Sequence, residues 1–215
     1  MSQARGVITD WGGVLTNPIA DSVNAWLLAE GIDRDSYRAI MRRWVRPAYA
    51  DGSDANPVHA LERGECTSEE FERALASELV LVTGGPVASP GLLARMFAGS
   101  TLDEAMVELF RRLRAAGVPT GMLSNSWGGT YPRELISELF DAVVISAEVG
   151  MRKPELRIFL HAADLLGLPP SECIFIDDIE ANVAAAEQLG FTGIVHSGPD
   201  STSERVAELL GSRLG

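Results

Sequence analysis

Cys173-Ile174-Phe175-Ile176-Asp177-Asp178 is the stretch on which the fold turns. Four apolar residues without a polar break read as a strand buried on both faces, the pattern of a parallel sheet covered by helices. Two carboxylates follow at once. Adjacent acids at the end of a buried strand repel each other near a low-dielectric core. A helix-capping role for Asp178 explains one acid but not both. A divalent cation relieves the repulsion, and Mg2+ takes one or two carboxylates together with water and substrate phosphate.

Outward from this stretch, strand and helix patterns alternate. Gly6-Val7-Ile8-Thr9 reads as a first strand ending at Asp10, Val118 to Leu123 as a second, Ala142 to Ile145 as a third and Thr192 to Val195 as the last. Leu102, Met106, Leu109 and Leu113 recur at helical spacing, with Gly117 as a stop. Further helices are expected over Pro154 to Leu166, over Ala181 to Leu189 before Gly190, and near Ser203 to Leu210. The alternation predicts an α/β chain with a central parallel sheet covered on both faces.

From Asn17 to Leu92 the rhythm breaks, and only helical patterns are found. Val23, Trp26 and Leu27 mark one helix, and Tyr37, Ile40, Met41 and Trp44 mark another. Thr67-Ser68-Glu69-Glu70 has the form of a capping box ahead of Phe71 to Leu79. Thr83 to Pro90, rich in Gly and Pro, reads as a linker. About 75 residues are too many for one crossover, so a helical insertion over the strand ends is expected.

Composition bounds what such a molecule does. At 215 residues the chain fits one ordinary domain, or a core with a smaller inserted unit. Charged residues at 22% and hydrophobic residues at 46% describe a folded globular protein. Eighteen basic against 30 acidic side chains leave a net charge of −12, which disfavours nucleic acid and anionic membrane as partners. An anionic substrate then needs a focused cationic site. Cys66 and Cys173 form no metal or redox pair and are too few for a disulfide framework. Met1 to Arg5 leads into the first strand without an apolar signal region, and no apolar run is long enough to span a membrane. A cytoplasmic location is expected.

Open parallel sheets bind ligands beyond the carboxyl ends of their strands. Those ends carry Asp10-Trp11-Gly12-Gly13, then Ser124-Asn125, then Lys153, then Asp177-Asp178 with Asn182 four residues on. Lys153 is the only lysine in the chain; the other seventeen cationic side chains are arginine. A lysine is a compact point charge able to press against a phosphate or a carboxylate pair. Pro154 suits the first position of a helix, which would set Lys153 at a helix N-terminus that favours an anion.

Taken in order, Asp10-Trp11-Gly12-Gly13-Val14-Leu15, Leu123-Ser124-Asn125, Gly150-Met151-Arg152-Lys153-Pro154 and Phe175-Ile176-Asp177-Asp178 resemble the four motifs of the haloacid dehalogenase superfamily. The resemblance is to its phosphatase branch, near the amino-terminal phosphatase domains of soluble epoxide hydrolases and similar sugar-phosphate phosphatases. It implies a Rossmann-like three-layer core from residues 1–16 and 93–215, with a small helical cap from 17–92 inserted after the first strand. It also implies a Mg2+-dependent phosphatase working through an aspartyl-phosphate. Asp10 would be the nucleophile, and Ser124 with Asn125 would hold phosphoryl oxygens. Lys153 would be catalytic and would also bind the phosphoryl group. Asp10, Gly12 and Asp178 would hold Mg2+, with Asp177 and Asn182 in support.

Relatives usually carry an aspartate as general acid and base where Gly12 stands. Its place could be taken by water, by the substrate, or by His59, Asp51, Asp54 or Glu65 of the cap. A chain that binds a phosphorylated ligand or partner without turnover is the alternative. Dehalogenase chemistry fits less well, because dehalogenases of the superfamily lack the paired acids. A Schiff-base phosphonatase would need a cap lysine, and a mutase would need the missing acid. The expected partner is a small phosphorylated substrate, and the expected assembly a monomer or homodimer. Trp11 and Trp127 either wall the leaving-group site or pack between core and cap.

Overall fold

β1 (Gly6–Thr9), β2 (Thr120–Ser124), β3 (Ala142–Ile145), β4 (Cys173–Asp177) and β5 (Thr192–Val195) form one sheet in the order β3-β2-β1-β4-β5. Every neighbouring pair is parallel. The computed structural model describes residues 4–50, 56–129 and 131–211. β1, β2 and β4 are buried at every residue, while the edge strand β5 is partly exposed. Continuous apolar runs form the centre of the sheet because both of its faces are covered.

The helices that cover the sheet are α6 (Glu104–Ala115), which leads into β2, then α7 (Arg133–Leu139), α8 (Ser146–Val149), α9 (Leu156–Leu166), α10 (Glu180–Gln188) and α11 (Pro199–Leu210). Alternation along the strands divides the core in two. Val7, Met122, Ile174 and Ile176 meet α6, α7 and α11 on one face. Ile8, Leu123, Val144 and Phe175 meet α9 and α10 on the other. The result is the expected three-layer α/β architecture.

Between β1 and α6 the chain forms five further helices: α1 (Ile19–Ala29), α2 (Arg34–Ala50), α3 (Pro57–Glu62), α4 (Ser68–Glu78) and α5 (Leu92–Met96). Their apolar faces close on a core of their own, including Trp26, Trp44, Phe71, Leu75 and Leu93. The capping box at Thr67 forms as read, with Glu70 bonded back to the Thr67 amide at 2.8 Å. Thr83 to Pro90 is not a linker between units. Leu81 and Gly85 hydrogen-bond across a tight turn, Val87 is buried in the helical core, and Arg95 donates to the Ala88 carbonyl. The chain leaves the sheet and returns to it along paired segments instead. Asn17 donates to the Thr101 carbonyl at 2.9 Å, and Asp103 to that of Leu15 at 3.0 Å. α5, which starts at residue 92 and runs to 96, also packs with the helical core.

Among the described residues, two ion pairs join the helical unit to the sheet unit. Glu62, at the end of α3, meets Arg152 at 2.6 Å with both side chains buried, and Arg63 meets Glu155. Gly64, at φ 70°, lets the chain pass against the Ala147 carbonyl; a Cβ there would collide with it. Among the described residues, no helix is long and apolar enough to cross a membrane. Removing one partner of a buried ion pair takes away the counter-charge closest to the other. Glu62→Ala is therefore expected to lower stability by about 3–5 kcal/mol in urea unfolding. A loss below about 1 kcal/mol, the scale of a surface pair, would contradict the burial argument.

Candidate active site

The strand order sets β1 between β2 and β4, with Thr9 in register with Ile176. Asp10 follows β1 and donates its amide to the Ile176 carbonyl at 2.8 Å, which places it beside Asp177 at the end of β4. Lys153 fills the gap between them. Its Nζ lies 2.9 Å from Asp10 Oδ1 and 2.7 Å from Asp177 Oδ2, and the side chain is fully buried. The ring of Phe175 lies 5.8 Å below the ammonium, adding a cation–π contact.

Lys153 does not sit at a helix N-terminus. α9 begins at Leu156 with Glu155 as its N-cap, and the Lys153–Pro154 peptide is cis. Asn125 holds the segment in place of a helix. Its Oδ1 accepts from the Lys153 amide at 2.8 Å, and its Nδ2 donates to the Lys153 carbonyl at 3.0 Å. The Asn125 side chain is therefore a clamp on the lysine backbone. Ser124, the last residue of β2, turns its hydroxyl toward the cavity and accepts from the Tyr131 hydroxyl at 3.0 Å. That leaves the Ser124 hydrogen free to point at an anion.

The two acids after β4 differ. Asp177 is fully buried and saturated: it bonds Lys153, accepts from the Ile179 amide at 2.8 Å, and takes both oxygens to Asn182 Nδ2 at 3.0 and 3.1 Å. Asp177, not Asp178, thus holds the turn into α10. Asp178 is exposed and leans over Gly13, where a Cβ would collide with its carboxylate. With φ at 77°, Gly13 meets a steric and a conformational demand at once.

Charge in the site is unbalanced. Burial pushes the Asp10 carboxyl up to about 7; Lys153 opposes this, while Asp177 and Asp178 add to it. Although the residue as a whole is exposed, partial desolvation of its carboxyl beside the acids, then Asp177, pushes Asp178 up to about 6. Burial works to lower the Lys153 ammonium, but the two carboxylates against it outweigh burial and hold it charged. One ammonium is shared between two acids, so Asp10 is only partly compensated. Ligand oxygens of Asp10, Asp177 and Asp178 all lie within 4.8 Å of one another. A divalent cation and the ammonium together would balance three carboxylates, and an all-oxygen donor set suits a hard ion. Asn182 Oδ1 is buried with no hydrogen-bond partner among the described residues, a further oxygen beside this group.

Asp10, Ser124, Lys153, Asp178 and Asn182 line the polar floor of a cavity of about 790 Å3, which Gly12 also lines. Gly12 lies outside the left-handed region, so its backbone admits other residues. His59 is fully buried and Glu65 exposed, and neither lines the cavity. Asp51 and Asp54 lie outside the described residues. The cap acids and histidine that can be placed therefore do not stand in for an acid at position 12. Trp11 and Trp127 both line the cavity and both pack: Trp11 edge-on to Tyr131, Trp127 against Phe71 and Phe97 with its Nε1 donating to Glu62 at 3.0 Å. Tyr131 and Glu62 escaped the sequence reading, because no spacing ties them to the strand ends.

The family model for haloacid dehalogenase-like hydrolases matches residues 4–190. The chain belongs to this hydrolase family. It is 30% identical to acyl-CoA dehydrogenase family member 10 of Mus musculus over 96% of its own length, and spans only 19% of that protein. It is also 30% identical to the sesquiterpene phosphatase astK of Aspergillus oryzae, over 70% of this chain and 77% of that one. Among solved structures, a HAD family enzyme of Bacteroides thetaiotaomicron aligns with a TM-score of 0.68 at 22% identity, covering 95% of this chain and 99% of that one. The same enzyme in complex with magnesium and inorganic phosphate aligns at 0.60, also at 22% identity, over 89% of this chain and 93% of that one.

The Asp10 shift carries a consequence for stability. Its folded-state pKa lies above the ordinary 3.8, so the folded chain holds the proton more tightly than the unfolded one. The contribution of Asp10 to stability therefore falls as pH rises from about 4 to about 7, then levels. A cation that takes the proton's place cancels that loss. The melting temperature gained on adding MgCl2 is expected to be larger near pH 8 than near pH 5, read by scanning fluorimetry against a chelator control. Equal gains would show that the cation does not displace the Asp10 proton.

Proposed function

We propose that this chain is a Mg2+-dependent phosphatase that hydrolyses a small phosphorylated substrate through an aspartyl-phosphate on Asp10. The observation that carries this is the buried Lys153 ammonium in contact with Asp10 and Asp177. It leaves one Asp10 oxygen to attack and keeps positive charge at the reacting centre. The sesquiterpene phosphatase relative and the magnesium and phosphate complex of the structural neighbour support the same chemistry.

In the first displacement Asp10 attacks phosphorus, a carboxylate–phosphorus bond forms, and the bond to the leaving oxygen breaks. Ser124 donates its hydroxyl to a phosphoryl oxygen, and Lys153 offsets the charge that spreads over the phosphoryl group. The leaving oxygen takes its proton from water. In the second displacement water attacks phosphorus, the bond to Asp10 breaks, the carboxylate is restored, and phosphate leaves with one proton passed to solvent. Asp10, Asp178 and the Gly12 carbonyl would hold Mg2+. Bound there, it supplies charge neutralisation for the phosphoryl oxygens. Asp177 and Asn125 act indirectly, fixing the head and the backbone of Lys153.

Purified protein with MgCl2 is expected to release phosphate from p-nitrophenyl phosphate, and Asp10→Asn to abolish release. Persistence of activity in that variant would remove Asp10 as nucleophile. The absence of an acid at position 12 favours a second reading, binding of a phosphorylated ligand without turnover. Gly12→Asp separates the two. A Cβ there meets only the tip of the Ile19 side chain, at 3.1 Å, so the change fits. Supplying a general acid is typically worth about 10²-fold or more, so the variant is expected to gain at least about tenfold in kcat toward alkyl esters. Turnover in Gly12→Asp alone, with none in the parent chain, would favour the binding reading.

A further inference from the structure

The cavity has two halves of opposite character. Its floor is Asp10, Ser124, Lys153 and Asp178. The roof comes from α1, α2 and α5, through Ile19, Val23, Met41 and Met96, and continues through Phe97 and Trp127. Among the described residues, no side chain that these three helices contribute is charged, and the Tyr37 hydroxyl is their one polar side-chain group. Burial holds that phenol up at about 12, so it stays neutral.

Cations are as scarce there as acids. Of eighteen cationic side chains in the chain, Lys153 alone lines the cavity among the described residues, and it is already held by two carboxylates. A leaving group with a second anionic centre would find no counter-charge, in a chain of net charge −12. A polyol set against the three roof helices would meet one hydroxyl there, with Thr16, Ser100 and Thr101 elsewhere in the lining, and would leave hydroxyls facing the roof unpaired. A hydrocarbon skeleton gains from the same wall. The volume, about 790 Å3, lies within the range of cavities that enclose a drug-sized ligand.

We infer that the substrate is the phosphate monoester of an apolar alcohol, with its hydrocarbon part against Ile19, Val23, Met41, Met96 and Phe97. This names the substrate class of the phosphatase site proposed above and rests on that function. The phosphate is held at the polar floor, and the carbon skeleton selects affinity from the roof. Discrimination among alcohols is therefore by size and polarity, and it falls mainly on KM, because the roof touches atoms remote from the reacting bond.

The test is phosphate release from monoalkyl phosphates, methyl through octyl, below their aggregation concentrations. Glycerol phosphate, glucose 6-phosphate and p-nitrophenyl phosphate run beside them. kcat/KM is expected to rise about three- to fourfold per methylene, the equivalent of ~0.8 kcal/mol, until the cavity is filled. Met41→Gln is expected to flatten that slope and Met41→Leu to keep it, with folding checked by circular dichroism. Turnover of p-nitrophenyl phosphate with a flat chain-length series, or a preference for glucose 6-phosphate over octyl phosphate, would overturn the inference and leave the phosphatase function standing. No release from any ester, p-nitrophenyl phosphate included, would overturn both.

Discussion

A single ammonium held between two carboxylates organises this molecule. Lys153 reaches Asp10 at the end of β1 and Asp177 at the end of β4, the adjacent central strands of the sheet. Without it, neighbouring acids would end two buried strands side by side, a placement that desolvation and repulsion oppose. Three amides serve this arrangement. Asn125 fixes the lysine backbone from β2, while Asn182 and the Ile179 amide fix Asp177 from α10. The polar centre is thus tied to β2 and α10 as well as to β1 and β4, and burial and the neighbouring acids raise Asp10 and Asp178.

A second buried ion pair stands one residue away. Arg152 meets Glu62 of the helical unit, and Glu62 also accepts from Trp127, whose ring packs between Phe71 and Phe97. Position 152 faces the helices and position 153 faces the acids. One turn of backbone therefore serves both the roof of the cavity and its floor. The charged pair is costly to bury, and replacement by apolar residues of like volume is often neutral for stability.

Much of this was legible in the chain. β3 and β5 run between the residues read from their apolar patterns, and β2 and β4 differ from expectation only at their ends. Long buried runs carry a signal that tertiary packing reinforces. α3, α5, α7 and α8 were missed because four to seven residues are too few for a helical period to show. The site residues at the strand ends were legible for the same reason as the strands. Their partners were not. The bond from Tyr131 to Ser124, the clamp from Asn125 and the pairing of Glu62 with Arg152 join residues whose spacing has no period. Pro154 misled the placement of Lys153, because a proline that suits a first helical turn suits a tight connection equally well.

The segments by which the helices join the sheet lie side by side, Leu15 bonded to Asp103 and Asn17 to Thr101. In effect the sheet unit closes on itself at this point, and the five helices hang from a doorway one hydrogen bond wide. The α/β core can keep one chemistry unchanged while the insertion is lengthened, shortened or exchanged, provided the two posts of the doorway stay paired and Glu62 still finds its arginine.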